Sequence, residues 1–371
     1  MNMRIYIHWP FCLRRCPYCD FTSRVASHQV QEEYFYCLLR EAELWARSPL
    51  STGKQVESFY IGGGTPSVLP PARVGTLLSR VQDIFPVKED AEVTVEVNPG
   101  TWTGEELREV AGHGVNRLSL GLQSLDDTVL RLLGRIHGAR ECHELLWEAM
   151  GIEGVTVSVD LLYGLPRECK DSFLRSLVEV LAYRPHHVSI YPLSLSPGVP
   201  MARKVEQGLT ELPGEDEVAA EYEAAVELLR RHGYRRYEIS NFSLPGRECH
   251  HNLGYWRREE YLGLGASAHS FIGGVRWENV DSVIHYVSSI RKGAAPVVEA
   301  HPLLPWEDES ETVMLGLRLA EGIEVTLLKD AMEIVEELRD LGLLEESEGR
   351  ISLTTRGMLL QNEVLAKLLP A

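Results

Sequence analysis

The sequence contains no long apolar run. Nowhere do about 18 apolar residues follow one another, which is the length that a membrane-spanning helix needs. The chain enters the strand-like stretch RIYIHW, residues 4–9, without the apolar region of a signal peptide. These absences lead us to expect a cytoplasmic protein, with peripheral membrane association left open.

Positive charge is scarce relative to negative charge. The chain has 37 Lys and Arg against 54 Asp and Glu, which gives a formal charge of −17 at pH 7. Such a surface repels phosphate backbones, and no local basic face stands out along the sequence. We therefore expect no nucleic-acid partner.

The cysteines do not form a disulfide framework. There are seven, an odd number, and only three of them cluster. The spacing offers no second C-x2-C pair, so the four-thiolate zinc site is also missing. The scattered cysteines are expected to be small buried residues: Cys37, Cys142, Cys169 and Cys249.

The pattern of the chain predicts a parallel α/β fold. At 371 residues the chain suggests one large domain of about 200 to 250 residues and a smaller one. Short β-branched runs alternate with helical segments, as in right-handed βα units, and six or seven such units indicate an open or partial barrel. The predicted strands are 4–9, 56–61, 91–97, 116–121, 155–162, 187–193 and 235–240.

The pattern changes after residue 240. We predict a barrel over 1–240, a linking region over 241–304 that contains CHHNLGYW, and a C-terminal α+β extension over 305–371. The extension ends in LRDLGLLEESEGRISLTTRG, whose helix, strand, turn and strand are typical of a winged helix. Because residues 305–350 are rich in Glu and Asp, we favour a packing role over DNA reading.

Unusual residues fall where the predicted strands end. The run FCLRRCPYCDF follows the first strand, and GGGTPS follows the second. Reactive groups of a parallel barrel gather at the carboxyl ends of its strands, so we expect these segments to meet. Further polar residues at strand ends are Glu96, Asn98, Gln123, Asp160 and Tyr191.

The cysteine run has the spacing C-x3-C-x2-C, formed by Cys12, Cys16 and Cys19. Three thiolates can hold three irons of a 4Fe-4S cube and leave the fourth iron open for a cosubstrate. The alternative is zinc, with His8 as the fourth ligand, although a lone His at a strand end is more often a hydrogen-bonding group. The spacing favours the cluster.

CLRRCPYCDF together with GGGTPS resembles the radical S-adenosylmethionine (SAM) superfamily. The resemblance implies a 4Fe-4S cluster on Cys12, Cys16 and Cys19 and SAM on the open iron, where one electron yields a 5′-deoxyadenosyl radical. It also implies that the glycine segment binds SAM, because backbone groups there can approach the methionine amino group. That segment is Gly62, Gly63, Gly64 and Thr65.

Further motifs resemble the anaerobic coproporphyrinogen III oxidase family within that superfamily. The resemblance extends from residue 4 to about residue 360 and implies a partial (βα)6 barrel. It also implies SAM contacts for Glu96, Gln123, Arg135 and Asp160, with carboxylates on the ribose hydroxyls and Arg135 on the methionine carboxylate. The motifs, in order, are YIHWPFCLRRCPYCDF, GGGTPS, EVNP, RLSLGLQSLDD, LLGRIHGA, SVDLLYGLP, YEISNFS, CHHNLGYW and YLGLGASAHS.

Two features resemble the heme chaperone (HemW) branch of this family. The oxidase branch carries a fourth cysteine two residues after the third, where this chain has Phe21, and it has an N-terminal extension. HNLGYW matches the HNxxYW motif, which implies heme contacts for His251, Asn252, Tyr255 and Trp256. The alternative is that Tyr255 and Trp256 are core residues and that His251 caps a turn. The implied partners are heme and heme-accepting proteins, and a homodimer is left open.

One segment departs from the family pattern Y-x-L-x-x-E-x-G-T. Here it reads YPLSLSPGVP, with Ser196 and Val199 in place of the Glu and Thr. Losing a carboxylate near the radical site weakens the case for conventional substrate chemistry.

Three hypotheses follow. The first is a heme-binding and transfer protein with cluster and SAM. The second is an oxygen-independent coproporphyrinogen III oxidase or another radical SAM enzyme of tetrapyrroles. The third is a radical SAM enzyme acting on nucleic acid.

Overall fold

A computed structural model describes residues 2–169 and 171–369, and its main feature is one sheet of twelve strands. The strands follow the order β12-β11-β10-β9-β1-β2-β3-β4-β5-β6-β8-β7 across the sheet. Their bounds are β1 Asn2–Trp9, β2 Gln55–Gly63, β3 Val87–Val97, β4 Arg117–Gln123, β5 Thr156–Tyr163, β6 His187–Pro192, β7 Arg235–Arg236, β8 Asn241–Ser243, β9 Tyr261–Leu264, β10 His269–Ile272, β11 Val275–Asn279 and β12 Val297–Pro302.

Helices connect the parallel strands. The helix α3 shows why such segments begin where they do: Thr103 and Glu106 form a capping box, in which each side chain accepts a hydrogen bond from the other residue's N–H. The helices of the sheet region are α1 His28–Ala46, α2 Pro71–Ile84, α3 Gly104–Gly112, α4 Asp127–Leu132, α5 Ala139–Met150, α6 Ser172–Ala182, α7 Pro200–Glu206, α8 Glu215–Arg231, α9 His250–Trp256 and α10 Val283–Arg291.

The six strands β1 to β6 pair in parallel, as predicted. Successive residues of a strand point to opposite faces, and β5 shows the result. Its Val157 and Val159 belong to the apolar core, whereas Ser158 and Asp160 line an interior cavity. Side chains from all six strands line that one cavity, so the sheet is curved around a polar interior.

The predicted seventh strand, 235–240, is wrong in extent and direction. Only Arg235 and Arg236 form β7, which pairs antiparallel with β8, and β8 runs antiparallel to β6. The reason is the short connection of residues 237–240, because a parallel pair needs a crossover of about a dozen residues or more. The seventh parallel strand is β9, on the other side of β1.

The region predicted as a link, 241–304, adds β8 to β12 to the main sheet. The C-terminal part has a sheet of its own, with the order β13-β15-β14, and a separate apolar core that includes Val335, Ile351 and Val364. Its elements are α11 Pro305–Gly316, β13 Ile323–Glu324, α12 Met332–Asp340, β14 Leu344–Ser347, β15 Arg350–Leu353, α13 Thr355–Leu359 and α14 Gln361–Leu368.

The predicted helix, strand, turn and strand are present there as α12, β14 and β15. The predicted domain bounds, 1–240, 241–304 and 305–371, stay predictions. Across residues 2–169 and 171–369, none of the helices has the length and apolar content that crossing a bilayer would require. The four scattered cysteines are buried, which confirms their expected role.

The buried carboxylate of Glu41 joins α1 to the strands that extend the sheet. It accepts hydrogen bonds from Gly265 N at 2.7 Å, Asn279 Nδ2 at 2.7 Å and the Tyr286 hydroxyl at 2.6 Å. Trp45 Nε1 donates a longer bond of 3.4 Å. Burial raises the pKa of Glu41 to about 7, and these donors oppose that effect by stabilising the ionised form.

Replacing Glu41 by Ala should lower the free energy of unfolding by about 3 kcal/mol, because several buried donors lose their acceptor. The matched control is Glu43→Ala, an exposed residue of the same helix, which should change stability by less than about 0.5 kcal/mol. Urea denaturation measures both. Equal losses in the two variants would contradict the role given to Glu41.

Candidate functional site

The three clustered thiols share one cavity. Cys12, Cys16 and Cys19 lie in the loop that follows β1, and all three line a cavity of about 460 Å³ at the carboxyl ends of the parallel strands. The loop is closed by backbone bonds from Cys12 N to Arg24 O at 3.0 Å and from Cys19 N to Cys16 O at 3.3 Å. Burial raises the pKa of Cys12 and of Cys19.

Both ring nitrogens of His8 have hydrogen-bond partners. Its Nδ1 lies 3.0 Å from the Tyr6 hydroxyl, and its Nε2 lies 2.9 Å from the carbonyl oxygen of Thr22. In the part of the chain that the structure describes, no three His, Cys, Asp or Glu are arranged to hold a single metal ion. Zinc binding by His8 would require one of its two hydrogen bonds to open.

The glycine segment packs against the cysteine loop. Gly64 N donates to Trp9 O at 2.8 Å, and Thr65 N donates to Phe11 O at 2.9 Å. A Cβ on Gly64 would lie 2.9 Å from backbone atoms of Phe11 and Trp9. Gly64 is thus required by the approach of two chain segments, independently of any ligand.

The neighbouring glycines differ in their surroundings. Gly63 has φ +112°, and a Cβ there would lie 2.5 Å from the imidazole Cε1 of His8. Gly63, Gly64 and Thr65 line the thiol cavity. Gly62 does not line it, and a Cβ at that position would lie 2.8 Å from Glu96 Oε1.

Two carboxylates from neighbouring parts of the sheet face the same cavity. Glu96 accepts hydrogen bonds from the Tyr60 hydroxyl at 2.9 Å and from Gly63 N at 3.1 Å. Burial, with a smaller contribution from the charge of Asp160, raises the pKa of Glu96 to about 7. Burial raises the pKa of Asp160 to about 6, against the opposing effect of hydrogen bonds from Ser189 and Ser119.

Arg135 connects the cysteine loop to the strand ends. Its Nη1 donates to Cys16 Sγ at 3.7 Å, and its Nη2 donates to Gly121 O at 2.9 Å and to Asn98 Oδ1. Gln123, at the end of β4, lines the cavity in a left-handed conformation with φ +68°. Such backbone strain in a residue other than glycine is concentrated at functional sites.

Several side chains of this cavity were not among the predicted site residues, and Tyr60, Asn98 and His137 are examples. Tyr60 lies on the same face of β2 as Gly62. Asn98 was predicted to stand at a strand end, without a role in binding. His137 stands two residues after Arg135, and burial together with the charge of that arginine lowers its pKa to about 4. Periodicity along β2 is the signal that could have identified Tyr60.

The HNLGYW motif forms α9 and lies away from the thiols. His251 is 1% exposed; its Nδ1 lies 2.8 Å from Ser58 Oγ and its Nε2 2.9 Å from the Tyr255 hydroxyl. Burial lowers the pKa of His251 to about 3, so the ring is neutral. With both nitrogens in hydrogen bonds, His251 offers none to a ligand unless one of these bonds opens.

Three motif residues line a second cavity, which adjoins the first. It measures about 190 Å³ and contains His251, Asn252 and Tyr255, but not Trp256. Trp256 packs against Arg318, whose guanidinium carbon lies 4.3 Å from the ring centre. Four residues line both cavities: Tyr60, Ser119, Asp160 and Tyr191. The heme role predicted for the motif stays a prediction.

Comparison with known proteins places this site in a family. The radical SAM superfamily matches residues 6–179, and the HemN C-terminal domain matches residues 303–360. The heme chaperone HemW of Bacillus subtilis is 33% identical over 375 residues, covering 98% of each chain. HemW of Mycobacterium tuberculosis is 37% identical over 369 residues, covering 98% of this chain and 94% of its own.

The chain belongs to the HemW family of radical SAM proteins. A mitochondrial relative from Bos taurus, radical S-adenosyl methionine domain-containing protein 1, is 37% identical over 98% of this chain and 87% of its own. Among solved structures, coproporphyrinogen III oxidase (HemN) of Escherichia coli matches with a TM-score of 0.85 at 24% identity, over 99% of this chain and 90% of its own. The HemW-branch assignment and the fold class predicted from the sequence are thus confirmed.

In this HemW-family chain, Gly64→Ala should lower the free energy of unfolding by about 1–3 kcal/mol, because the new Cβ collides with backbone that cannot yield. Gly112→Ala is the matched control, since a Cβ there meets nothing within 4 Å. Thermal and urea unfolding of both variants measure the effect. A Gly64→Ala variant as stable as the control would show that the two segments are not packed as described.

Proposed function

We propose that this protein is a heme chaperone that binds heme and transfers it to acceptor proteins. The observation that carries the proposal is its similarity to heme chaperones of two bacteria at 33% and 37% identity across 98% of the chain. Similarity over the whole length includes both the radical SAM region and the C-terminal region. The cytoplasmic location, a homodimer and peripheral membrane association stay predictions.

The cysteine loop fits a 4Fe-4S cluster. Cys12, Cys16 and Cys19 offer three thiols to one cavity, and position 21 holds an exposed phenylalanine instead of a fourth. A 4Fe-4S cluster held by these three thiolates would leave one iron open to SAM and would supply the electron for SAM cleavage. Because burial raises the pKa of Cys12 and Cys19, binding of the cluster must release protons from these thiols.

The other cavity residues fit SAM. Gly63, Gly64 and Thr65 present backbone groups beside the cysteine loop, which suits the amino group of its methionine part. Arg135, next to Cys16, supplies positive charge for the carboxylate. Glu96, Gln123 and Asp160 offer polar groups to the ribose. Gly62 does not line the cavity, but its lack of a side chain leaves room for the Glu96 carboxylate.

The proposal is tested by heme titration of anaerobically purified protein, with and without the reconstituted cluster. We expect a shift of the heme Soret band that saturates at micromolar protein, followed by loss of that shift when an apo heme protein is added. The acceptor must gain the heme that this chain loses. Absence of any Soret shift at micromolar protein would refute the proposed function.

SAM binding should depend on pH through Glu96. Its raised pKa of about 7 leaves the carboxyl neutral below that pH and ionised above it, and the ionised form attracts the positive sulfonium of SAM. SAM affinity of the cluster-loaded protein should therefore rise by up to about tenfold from about pH 6 to about pH 8. Calorimetry at several pH values measures it.

The Glu96→Gln variant should lose most of this pH dependence and retain only the part due to Asp160. Glu105→Gln, at an exposed position in the first turn of α3, is the control and should behave as the wild type. A Glu96→Gln variant with the full wild-type slope would assign the titration to another group.

Radical chemistry on a tetrapyrrole is the second candidate. It is favoured by the thiol cavity of about 460 Å³, which brings the carboxylates Glu96 and Asp160 close to the cysteine loop. The departures Phe21, Ser196 and Val199 stand against conventional oxidase chemistry. An anaerobic assay with coproporphyrinogen III, SAM and a reductant tests this candidate. If no protoporphyrinogen IX forms, coproporphyrinogen III oxidase activity is excluded.

A further inference from the structure

A cationic groove lies beside the thiol cavity. It measures about 710 Å³ and is lined by Arg14, Arg15, Arg131 and Lys204, and Asp20 is the single acidic residue that lines it in the described part of the chain. The four cations come from three separate parts of the chain: the cysteine loop, the end of α4 and α7. In a chain with a formal charge of −17, this concentration of positive charge is an exception.

The four cations are not neutralised by the protein. Within residues 2–169 and 171–369, none of them lies within 4.0 Å of a carboxylate oxygen, although ion pairs are frequent elsewhere on the surface. The Arg131 side chain donates to the hydroxyl of Thr128, at 3.2 Å. Asp20 instead accepts a hydrogen bond of 2.5 Å from Ser196 Oγ. An anion could therefore pair with these cations without displacing a carboxylate.

The adjoining rim of the thiol cavity is apolar and exposed. Leu13, Phe21 and Ile136 line this cavity with 53%, 65% and 51% of their surface accessible to solvent. The groove adjoins the cavity, since Arg14, Cys16, Asp20 and Gly134 line both. One surface thus offers an apolar patch for a flat ligand and, next to it, cations for acidic groups.

We propose that this surface binds heme, with the macrocycle against the Leu13, Phe21 and Ile136 rim and the propionates in the cationic groove. The inference rests on the proposed heme-binding function and specifies its site. Heme combines an apolar macrocycle with two carboxylates on one edge, which matches the arrangement of rim and groove. Cations held near the surface without carboxylate partners favour such a dianion and lose little solvation on binding it.

The sharpest test places a carboxylate in the groove. Ser196→Glu adds a negative charge, and Ser196→Gln matches its size and also removes the hydroxyl that contacts Asp20. Heme should bind about two- to fivefold more weakly to the Glu variant than to the Gln variant at low salt. Heme dimethyl ester, which has the macrocycle but no carboxylates, should bind equally to both.

A second pair of variants removes charge. Lys204→Gln takes one cation from the groove, whereas Arg203→Gln removes an exposed neighbour on the same helix that does not line it. Heme affinity should fall for Lys204→Gln and stay nearer the wild-type value for Arg203→Gln. His251→Phe should keep the heme Soret shift, because the groove and rim do not include the inner motif.

The outcomes separate the two proposals. If the wild type binds no heme, both the proposed function and the groove are refuted. If the wild type binds heme but Ser196→Glu and Ser196→Gln have equal affinities, only the groove is refuted. Loss of heme binding in a folded His251→Phe protein would place heme at the inner motif. Lys204→Gln could instead bind heme normally while an acidic electron-donor protein reduces its cluster more slowly. That result would refute heme binding in the groove and make the groove the docking site of the donor protein.

Discussion

The site depends on the close contact between the end of β2 and the cysteine loop. Two backbone hydrogen bonds, from Gly64 to Trp9 and from Thr65 to Phe11, fix the loop against the sheet edge. A side chain at position 64 has no room between these segments. The three thiols therefore share a cavity because a strand and a loop approach each other at backbone distance, and the polar strand ends face the space that results.

The curved sheet separates two kinds of surface. Its outer face packs apolar side chains against the helices, while its inner face carries hydroxyls, carboxylates and imidazoles in hydrogen bonds. Tyr60 illustrates the inner face: its hydroxyl donates to Glu96, and its ring lies 5.3 Å from the ring of His251. Most polar groups are tolerated inside because they have hydrogen-bond partners. Burial, and not these bonds, raises the pKa of the carboxyls Glu96 and Asp160.

Much of the fold could be predicted because short stretches of sequence indicate its strands and helices. Strands β1 to β6 show β-branched runs, and the cysteine spacing indicated one shared site. The stretch 235–240 also looked like a strand, but its direction depended on how few residues join it to Asn241. Contacts between distant residues had no local signal. The groove is one example, since Arg14, Arg131 and Lys204 meet only through folding, and the hydrogen bonds of His251 depend on how α9 packs against β2.

The four residues that line both cavities couple the surroundings of the thiols to those of α9. Tyr60, Ser119, Asp160 and Tyr191 each present atoms to both compartments. A ligand that enters the thiol cavity and moves these side chains therefore also changes the cavity lined by α9. Substitutions in the inner helix and substitutions beside the cysteines are consequently not independent, and their energetic effects should be non-additive.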